Sequence, residues 1–101
     1  MSYSNPLRTL TFDHHRKLAV WAKGNLIPGY DPAIWRRDAF GHAIRFSDYG
    51  DRQSDHGWEI DHIVATALGG ADDISNLRPL HHTNNSTLGG LLGGLLNPKR
   101  D

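Results

Sequence analysis

Apolar residues in the first part of the chain recur at the spacing of an α-helix and then give way to turn residues. One face of the predicted helix carries three of them: Leu18, Trp21 and Ala22. A spacing of three and four residues is typical of an amphipathic helix. Asp13 precedes this segment as a suitable N-cap, and Lys23-Gly24-Asn25 is typical of a helix end. The pattern therefore predicts a helix that begins at Asp13 and stops at Lys23.

The next part of the chain predicts a second short helix and a pair of short extended pieces. Asp31-Pro32 favours helix initiation, because proline at the first helical position gives up no hydrogen bond. Ile34 and Trp35 are predicted to pack inward. Asp38–Gly41 is predicted to form a tight turn between the two extended pieces. The second piece contains three apolar residues: Ala43, Ile44 and Phe46.

Two later apolar segments have the composition of β-strands. Trp58–Val64 is rich in β-branched and aromatic residues and predicts a strand. After a glycine-rich loop, Leu77–His81 predicts the returning strand, with Pro79 at an edge or a bulge. Thr83 or Asn84 is then predicted to cap a final helix. Together these elements predict a small single domain of the α+β class, in which N-terminal helices precede a β-hairpin and a helix.

A segment of leucine and glycine follows this final helix start. Five leucines would share one helical face: Leu88, Leu91, Leu92, Leu95 and Leu96. Each glycine between them costs about 1 kcal/mol relative to alanine in a helix, so such a helix requires tight packing. The segment is too short to span a bilayer. The alternatives are docking against the core, a homodimer contact, or a helix that frays.

Composition limits the function classes that the chain can serve. The 101 residues suffice for one domain with a modest core. Eleven Lys and Arg balance eleven Asp and Glu, so no overall field attracts the protein to nucleic acid. Cysteine is absent, which excludes disulfides and cysteine-based zinc sites. No signal peptide is recognisable at the start of the sequence, so a cytoplasmic protein is expected.

Four polar residues in the hairpin and its following helix form a candidate catalytic site. Asp61 and His62 stand near the end of the first strand, Asn76 precedes the second strand, and Asn85 follows it. An imidazole that is largely neutral at pH 7 can accept a proton from water, so His62 is the candidate general base. Asp61 is the candidate metal ligand, because Mg²⁺ prefers one or two carboxylates together with waters and phosphate oxygens. The set indicates metal-assisted phosphodiester cleavage.

The order of these motifs resembles the HNH endonucleases, also called ββα-metal or His-Me finger nucleases. The resemblance is carried by Trp58-Glu-Ile-Asp-His-Ile-Val64, Gly69-Gly70, Asn76-Leu-Arg-Pro-Leu80 and Asn84-Asn85. Upstream, Trp35-Arg-Arg-Asp38 and Tyr49-Gly50 are similar to the lead-in of small bacterial members, so the similarity covers residues 20–87. It implies one HNH domain over residues 1–101, with a lead-in at residues 12–50 and the finger at residues 57–96.

The resemblance also implies an activity and assigns roles. The expected function is a metal-dependent endonuclease that hydrolyses DNA, with His62 as base and one divalent metal, Mg²⁺ or else Mn²⁺ or another transition metal. Family members end the motif with a His or Asn that binds the metal, which assigns Asn85 as the second ligand beside Asp61. Asn76 is expected to brace the long loop so that His62 is aimed correctly. No structural zinc is expected.

Several alternatives remain open from the sequence. Asn84 could replace Asn85 as the ligand, with Asn85 as the helix cap, and His81 and His82 are further candidates for binding metal or substrate. Candidate phosphate-binding residues are Arg36, Arg37, Arg52 and Arg78. The alternative function is an HNH fold with weak or no catalysis that binds nucleic acid or another protein.

Overall fold

A long N-terminal helix, two β-hairpins and the start of a second helix follow one another along the chain. The computed structural model describes the backbone of residues 6–85 and the side chains of residues 13–85. Its regular elements are α1 (Pro6–Trp21), β1 (Trp35–Arg37), β2 (Ala43–Arg45), β3 (Trp58–His62), β4 (Leu77–His81) and α2, whose described part is residues 82–85. The α+β class predicted from the sequence is confirmed.

The first helix is longer than predicted and buries a different face. It starts at Pro6, so Asp13 lies inside the helix and the predicted N-cap is wrong. Proline is well suited to a first helical position, since its missing N–H would have no partner there. Val20 and Trp21 are buried, whereas Leu18 is exposed. Packing against the hairpins that follow therefore determines which face of the helix is buried.

The second helix predicted at Asp31-Pro32 is wrong. The Asp31 carboxylate accepts a hydrogen bond from the Ala33 N–H at 2.9 Å, which forms a side-chain turn that competes with a helix. Trp35 then enters β1, where it pairs with Arg45 of β2 in an antiparallel hairpin. Ile34 is 47% exposed, so the prediction that it packs inward is also wrong.

The second hairpin matches the predicted strands closely. β3 pairs antiparallel with β4 over five residues, from Trp58 opposite His81 to His62 opposite Leu77. Pro79 lies opposite Ile60 in this two-stranded sheet, where both strands are edges and the missing N–H is tolerated. The register places the ends of the hairpin, and so the candidate site residues, at defined positions.

The core lies between α1 and the two hairpins. Its buried members are Val20, Trp21, Ile44, Trp58 and Leu77. The Trp21 and Trp58 ring centroids are 5.0 Å apart, and both indole N–H groups are satisfied by carbonyl oxygens, of Pro32 and Phe46 respectively. A buried indole with a hydrogen-bonded N–H anchors a core at low cost. The core therefore joins both hairpins to α1.

A buried carboxylate links the first hairpin to the start of α2. Asp38 is 0% exposed. Its Oδ1 accepts the N–H groups of Phe40 and His42 at 3.0 and 2.9 Å, and its Oδ2 accepts the His81 N–H and the Asn84 Nδ2 at 2.9 and 2.8 Å. Burial alone would raise the pKa of the Asp38 carboxyl, but these hydrogen bonds lower it below the ordinary value. Asp38 therefore stays ionised inside the fold.

The second helix starts before both predicted caps, Thr83 and Asn84, so this prediction is wrong. Residue 82 is already helical, and the cap is the His81 ring, whose Nδ1 accepts the Thr83 N–H at 3.0 Å. Thr83 and Asn84 lie inside the first turn. The predicted Leu/Gly helix of residues 88–96 and its homodimer contact lie outside the described residues. In the described part of the chain, no helix has the length and apolar character needed to cross a membrane.

We expect Asp38→Ala to destabilise the protein by about 2–5 kcal/mol, because it leaves several buried donors without an acceptor. Urea unfolding followed by tryptophan fluorescence measures the change as a lower midpoint at an unchanged slope. The matched control is Asp55→Ala, whose side chain is exposed and whose loss should cost no more than about 0.5 kcal/mol. Equal midpoints for the two variants would contradict the assigned role of Asp38.

Candidate active site at the end of the second hairpin

Asp61 and His62 are neighbours in β3 and therefore project to opposite faces of the hairpin. Asp61 is 3% exposed, and Glu59 two residues earlier lies on the same face. His62 lies on the other face, and 29% of its side chain is exposed. The strand thus separates a buried carboxylate from an accessible imidazole.

The Asp61 carboxylate is compensated by a positive charge from the opposite strand. Arg78 faces Asp61 across the hairpin and donates from Nε to Asp61 Oδ2 at 3.0 Å. The Arg78 guanidinium also lies over the Phe40 ring, 5.4 Å from its centroid. A buried carboxylate requires such compensation to remain ionised. Asp61 therefore presents its carboxylate oxygens next to a compensating guanidinium in the interior of the hairpin-helix junction.

Asn85 reaches the same face of the hairpin from α2. It is 2% exposed, and its Nδ2 donates to Glu59 Oε1 at 2.7 Å. Arg52 holds the same carboxylate with two hydrogen bonds of 2.7 and 2.8 Å. Burial alone would raise the pKa of the Glu59 carboxyl, but the bonds from Arg52 and Asn85 lower it. Glu59 is thus an ionised acceptor that orients the Asn85 amide.

The donor chemistry of this face fits a hard divalent cation. Asp61 offers carboxylate oxygens and Asn85 an amide oxygen, which are ligand types that Mg²⁺ and Ca²⁺ accept. Within residues 13–85, no group of three or more His, Cys, Asp or Glu side chains is arranged to hold a metal ion. A cation here would therefore take few protein ligands, as Mg²⁺ does when waters and phosphate oxygens complete its shell.

Asn76 ties together the two ends of the loop that joins β3 to β4. Its Oδ1 accepts the Val64 N–H at 2.9 Å, while its Nδ2 donates to the carbonyls of Val64 and Ala71 at 3.0 and 2.8 Å. Its backbone carbonyl also accepts the Ile63 N–H at 2.8 Å. We refer to these four hydrogen bonds as the Asn76 clamp. The clamp holds the segment that follows His62 in one conformation.

His62 has a carboxylate partner that was not anticipated from the sequence. Its Nε2 lies 2.9 Å from Asp72 Oδ1, and the same oxygen accepts from Arg16 at 2.9 Å. The hydrogen bond from His62 and the charge of Arg16 lower the pKa of the Asp72 carboxyl. Asp72 is 71% exposed, so the pair is accessible to solvent. The loop therefore brings an ionised carboxylate to the candidate base.

The remaining candidate ligands are engaged in structural hydrogen bonds around α2. His81 Nε2 donates to the Asp55 carbonyl at 2.7 Å, and its Nδ1 is the helix cap described above. His82 Nε2 lies 2.8 Å from the Ser54 carbonyl. Asn84 donates to Asp38. These bonds give each of the three residues a role in stabilising the start of α2.

The four candidate phosphate-binding arginines divide into two groups. Arg36 donates to the carbonyls of Pro32, Ala22 and Gly24, and Arg37 donates to that of Gly41, so this pair braces the first hairpin. Arg52 and Arg78 instead pair with Glu59 and Asp61 on the site face. Of these four arginines, the second pair is the one that lies beside the candidate metal ligands.

Three carboxylates that contact candidate site residues were not predicted from the sequence: Asp38, Glu59 and Asp72. Glu59 had a usable signal, since it stands two residues before Asp61 and strand periodicity puts the two on one face. Asp72 stands ten residues from His62 in a loop. A loop has no periodic pattern, so the sequence does not predict which of its carboxylates contacts His62. Asp38 acts across 43 positions to His81, a contact that only the tertiary fold creates.

Comparison with known families identifies the region that contains this site. Residues 47–89 match the family model described as HNH endonuclease. The match confirms the resemblance recognised from the finger motif. It begins after the Trp35–Asp38 lead-in, which lies outside the matched residues. Comparisons with curated proteins and with solved structures gave no significant match.

We expect acid to weaken the fold through His81. Burial lowers the pKa of this imidazole, and the nearby His42 and His82 lower it further, while the bond to the Asp55 carbonyl partly opposes the shift. A basic group whose pKa is lowered on folding binds protons more readily in the unfolded chain. Its contribution to stability is therefore complete above a pH of about 6.5 and is lost as the pH falls from that value towards the folded pKa.

The measurement is the free energy of unfolding as a function of pH for wild type and His81→Asn. Asparagine is a good N-cap that does not titrate, so this variant should lose less stability on acidification. His15→Asn, an exposed change on α1, is the matched control and should follow wild type. Parallel curves for wild type and His81→Asn would contradict the assignment.

Proposed function

We propose that the protein is a metal-dependent endonuclease that hydrolyses DNA phosphodiester bonds, because residues 47–89 match the HNH endonuclease family model. HNH domains act on nucleic acids, and HNH nucleases use a divalent metal. The observation that carries the proposal is the division of β3 between a buried carboxylate, Asp61, and an accessible imidazole, His62. A hydrolytic site needs both, one for the cation and one for the water.

In the proposed mechanism, His62 accepts the proton of the attacking water. The ring is accessible at the end of β3, where a phosphodiester can approach it. The Asn76 clamp holds the backbone beyond His62, which limits rotation of the strand end that carries the base. Catalysis of this kind depends on a base held within hydrogen-bond reach of its water.

Asp61, the neighbour of His62 in β3, and Asn85 of α2 would hold the cation. Glu59 accepts a hydrogen bond from Asn85 Nδ2 and thereby orients the amide, whose oxygen is the ligand atom in this assignment. A bound Mg²⁺ would supply Lewis-acid stabilisation of the negative charge that develops on the phosphate and on the leaving oxygen. Arg52 and Arg78 add positive charge beside this position. We assign both arginines as candidates for contacting the DNA backbone.

The net charge of the chain and its expected homodimer both bear on how the protein would bind DNA. The balanced net charge argues for local phosphate contacts at the site and against strong non-specific attraction to DNA. The homodimer expected from the Leu/Gly segment stays a prediction, as does the absence of structural zinc. An HNH module that binds nucleic acid without cleaving it remains the competing function.

We expect purified protein to nick supercoiled plasmid only when a divalent metal is present. Loss of the base in His62→Ala should lower the rate by about 10²–10⁴-fold while leaving the melting temperature close to that of wild type. His15→Ala is the matched control and should cleave normally. Wild-type protein that binds DNA but cleaves none with Mg²⁺, Mn²⁺ or other divalent metals would favour the non-catalytic module instead.

Metal affinity tests the ligand assignment separately. Asn85→Ala should weaken the binding of Mn²⁺ or Mg²⁺ in calorimetry by about tenfold or more, since even the loss of a residue that only supports a ligand costs that much. Asn85→His should restore part of the affinity, because imidazole is an alternative ligand. Asn84→Ala is the control and should alter stability through Asp38, not metal binding. Loss of affinity in Asn84→Ala alone would transfer the ligand role to Asn84.

A further inference from the structure

We propose that Asp72 is the positioning residue of the general base, and that it orients His62 so that Nδ1 faces the attacking water. This inference rests on the proposed function. Asp72 contacts neither the candidate metal ligands nor the reacting atoms in this assignment. It acts through the His62 ring alone, and its own position is set by Arg16 and by the Asn76 clamp.

The contact with Asp72 locates the proton on the His62 ring. An ionised carboxylate can only accept hydrogen bonds. The carboxyl of Asp72 is ionised, since its pKa is lowered by His62 and Arg16. The 2.9 Å contact between His62 Nε2 and Asp72 Oδ1 therefore requires the proton on Nε2. A neutral His62 then carries its lone pair on Nδ1, which becomes the nitrogen that accepts a proton from water.

The conformation of the loop brings Asp72 to the base. The Asn76 clamp fixes the Ala71 carbonyl, directly before Asp72, to the strand end that carries His62. Gly70 allows the loop backbone to pass close to Val64, because a Cβ at residue 70 would lie 1.8 Å from the Val64 oxygen. Gly69 adopts a φ of 88°, a conformation that side chains disfavour. The Gly-Gly pair and Asn76 together therefore place Asp72 beside the base.

Two basic residues connect this loop to the N-terminal part of the chain. Arg16 of α1 donates to the same Asp72 oxygen that receives the His62 N–H. After the end of α1, the Lys23 ammonium donates to the carbonyls of Ile74, at 2.7 Å, and of Leu77. The loop is thus attached to the N-terminal part of the chain both at Asp72 and beyond it. Arg16 keeps the carboxylate ionised while the contact to His62 persists.

The acceptor role of Asp72 has a chemical consequence. When Nδ1 accepts a proton from water, the ring becomes a cation that donates through both nitrogens. Asp72 then stabilises the cation through the existing Nε2–H contact and takes up no proton itself. A carboxylate that orients an imidazole and stabilises its charged form raises turnover more than substrate binding.

The test combines a spectroscopic measurement with kinetics on full-length protein. The variants are Asp72→Ala, Asp72→Asn and, as matched control, Asp73→Ala, whose carboxylate accepts from Ser75. Asp72 is largely exposed, so its substitution should not unfold the chain. Nitrogen-15 NMR of the histidine rings, with His62→Ala used for assignment, reports whether the His62 Nε2 proton is hydrogen-bonded.

We expect a hydrogen-bonded Nε2–H on His62 in wild type and Asp73→Ala, and its loss in Asp72→Ala. In plasmid nicking, Asp72→Ala should lower kcat by about 10–100-fold with KM nearly unchanged, as expected when only the orientation of the base is lost. Asp72→Asn keeps an acceptor oxygen and should recover part of kcat. Arg16→Gln should have a smaller effect in the same direction.

Two results would overturn the proposal. One is an Nε2–H signal on His62 that is identical in wild type and Asp72→Ala. The other is a kcat of Asp72→Ala equal to that of Asp73→Ala. If wild type itself cleaves no DNA, the proposed function fails. The NMR comparison then still decides whether Asp72 orients the ring, so the two failures are distinguishable.

Discussion

A single buried carboxylate, Asp38, fixes the relation between the two halves of this small domain. Two of its hydrogen bonds close the turn of the first hairpin, and two hold the junction between β4 and α2. Asn84 and Asn85 lie in α2 directly after this junction, so the position of the candidate metal ligand depends on a residue in the other hairpin. With a modest hydrophobic core, a fold of this size has few other means of fixing that geometry.

The second hairpin uses its two faces for different chemistry. One face carries two carboxylates that are each paired with an arginine, Glu59 with Arg52 and Asp61 with Arg78. The other carries an imidazole at the surface beside an exposed carboxylate. A β-strand achieves this division with two consecutive residues, because alternate side chains project to opposite sides. The proposed acid-base and metal functions are thereby assigned to adjacent residues of one strand.

The sequence predicted the second hairpin well and the N-terminal part poorly, for physical reasons. β3 contains a tryptophan and an isoleucine, and the proline of β4 is tolerated because both strands of this two-stranded sheet are edges, so local preference and the fold agree. At Asp31-Pro32 local preference favoured a helix, but the side-chain turn at Asp31 and the pairing of Trp35 prevailed. The family resemblance identified Asp61, His62, Asn76 and Asn85 as candidates. Their supporting partners, Glu59 and Asp72, depend on register and loop conformation, which composition does not encode.

The Asn76 clamp also has a consequence for how this protein can diverge. By joining Val64 to Ala71, it closes the intervening residues into a small loop whose two ends are held together by the Asn76 side chain. Thr66–Leu68 form a single turn within it, and the Leu68 side chain is exposed. Insertions or exchanges there would leave the strand ends in register, since lengthening a loop whose ends are already joined costs little entropy. Evolution can therefore remodel the surface next to the base while the framework that supports the base is retained.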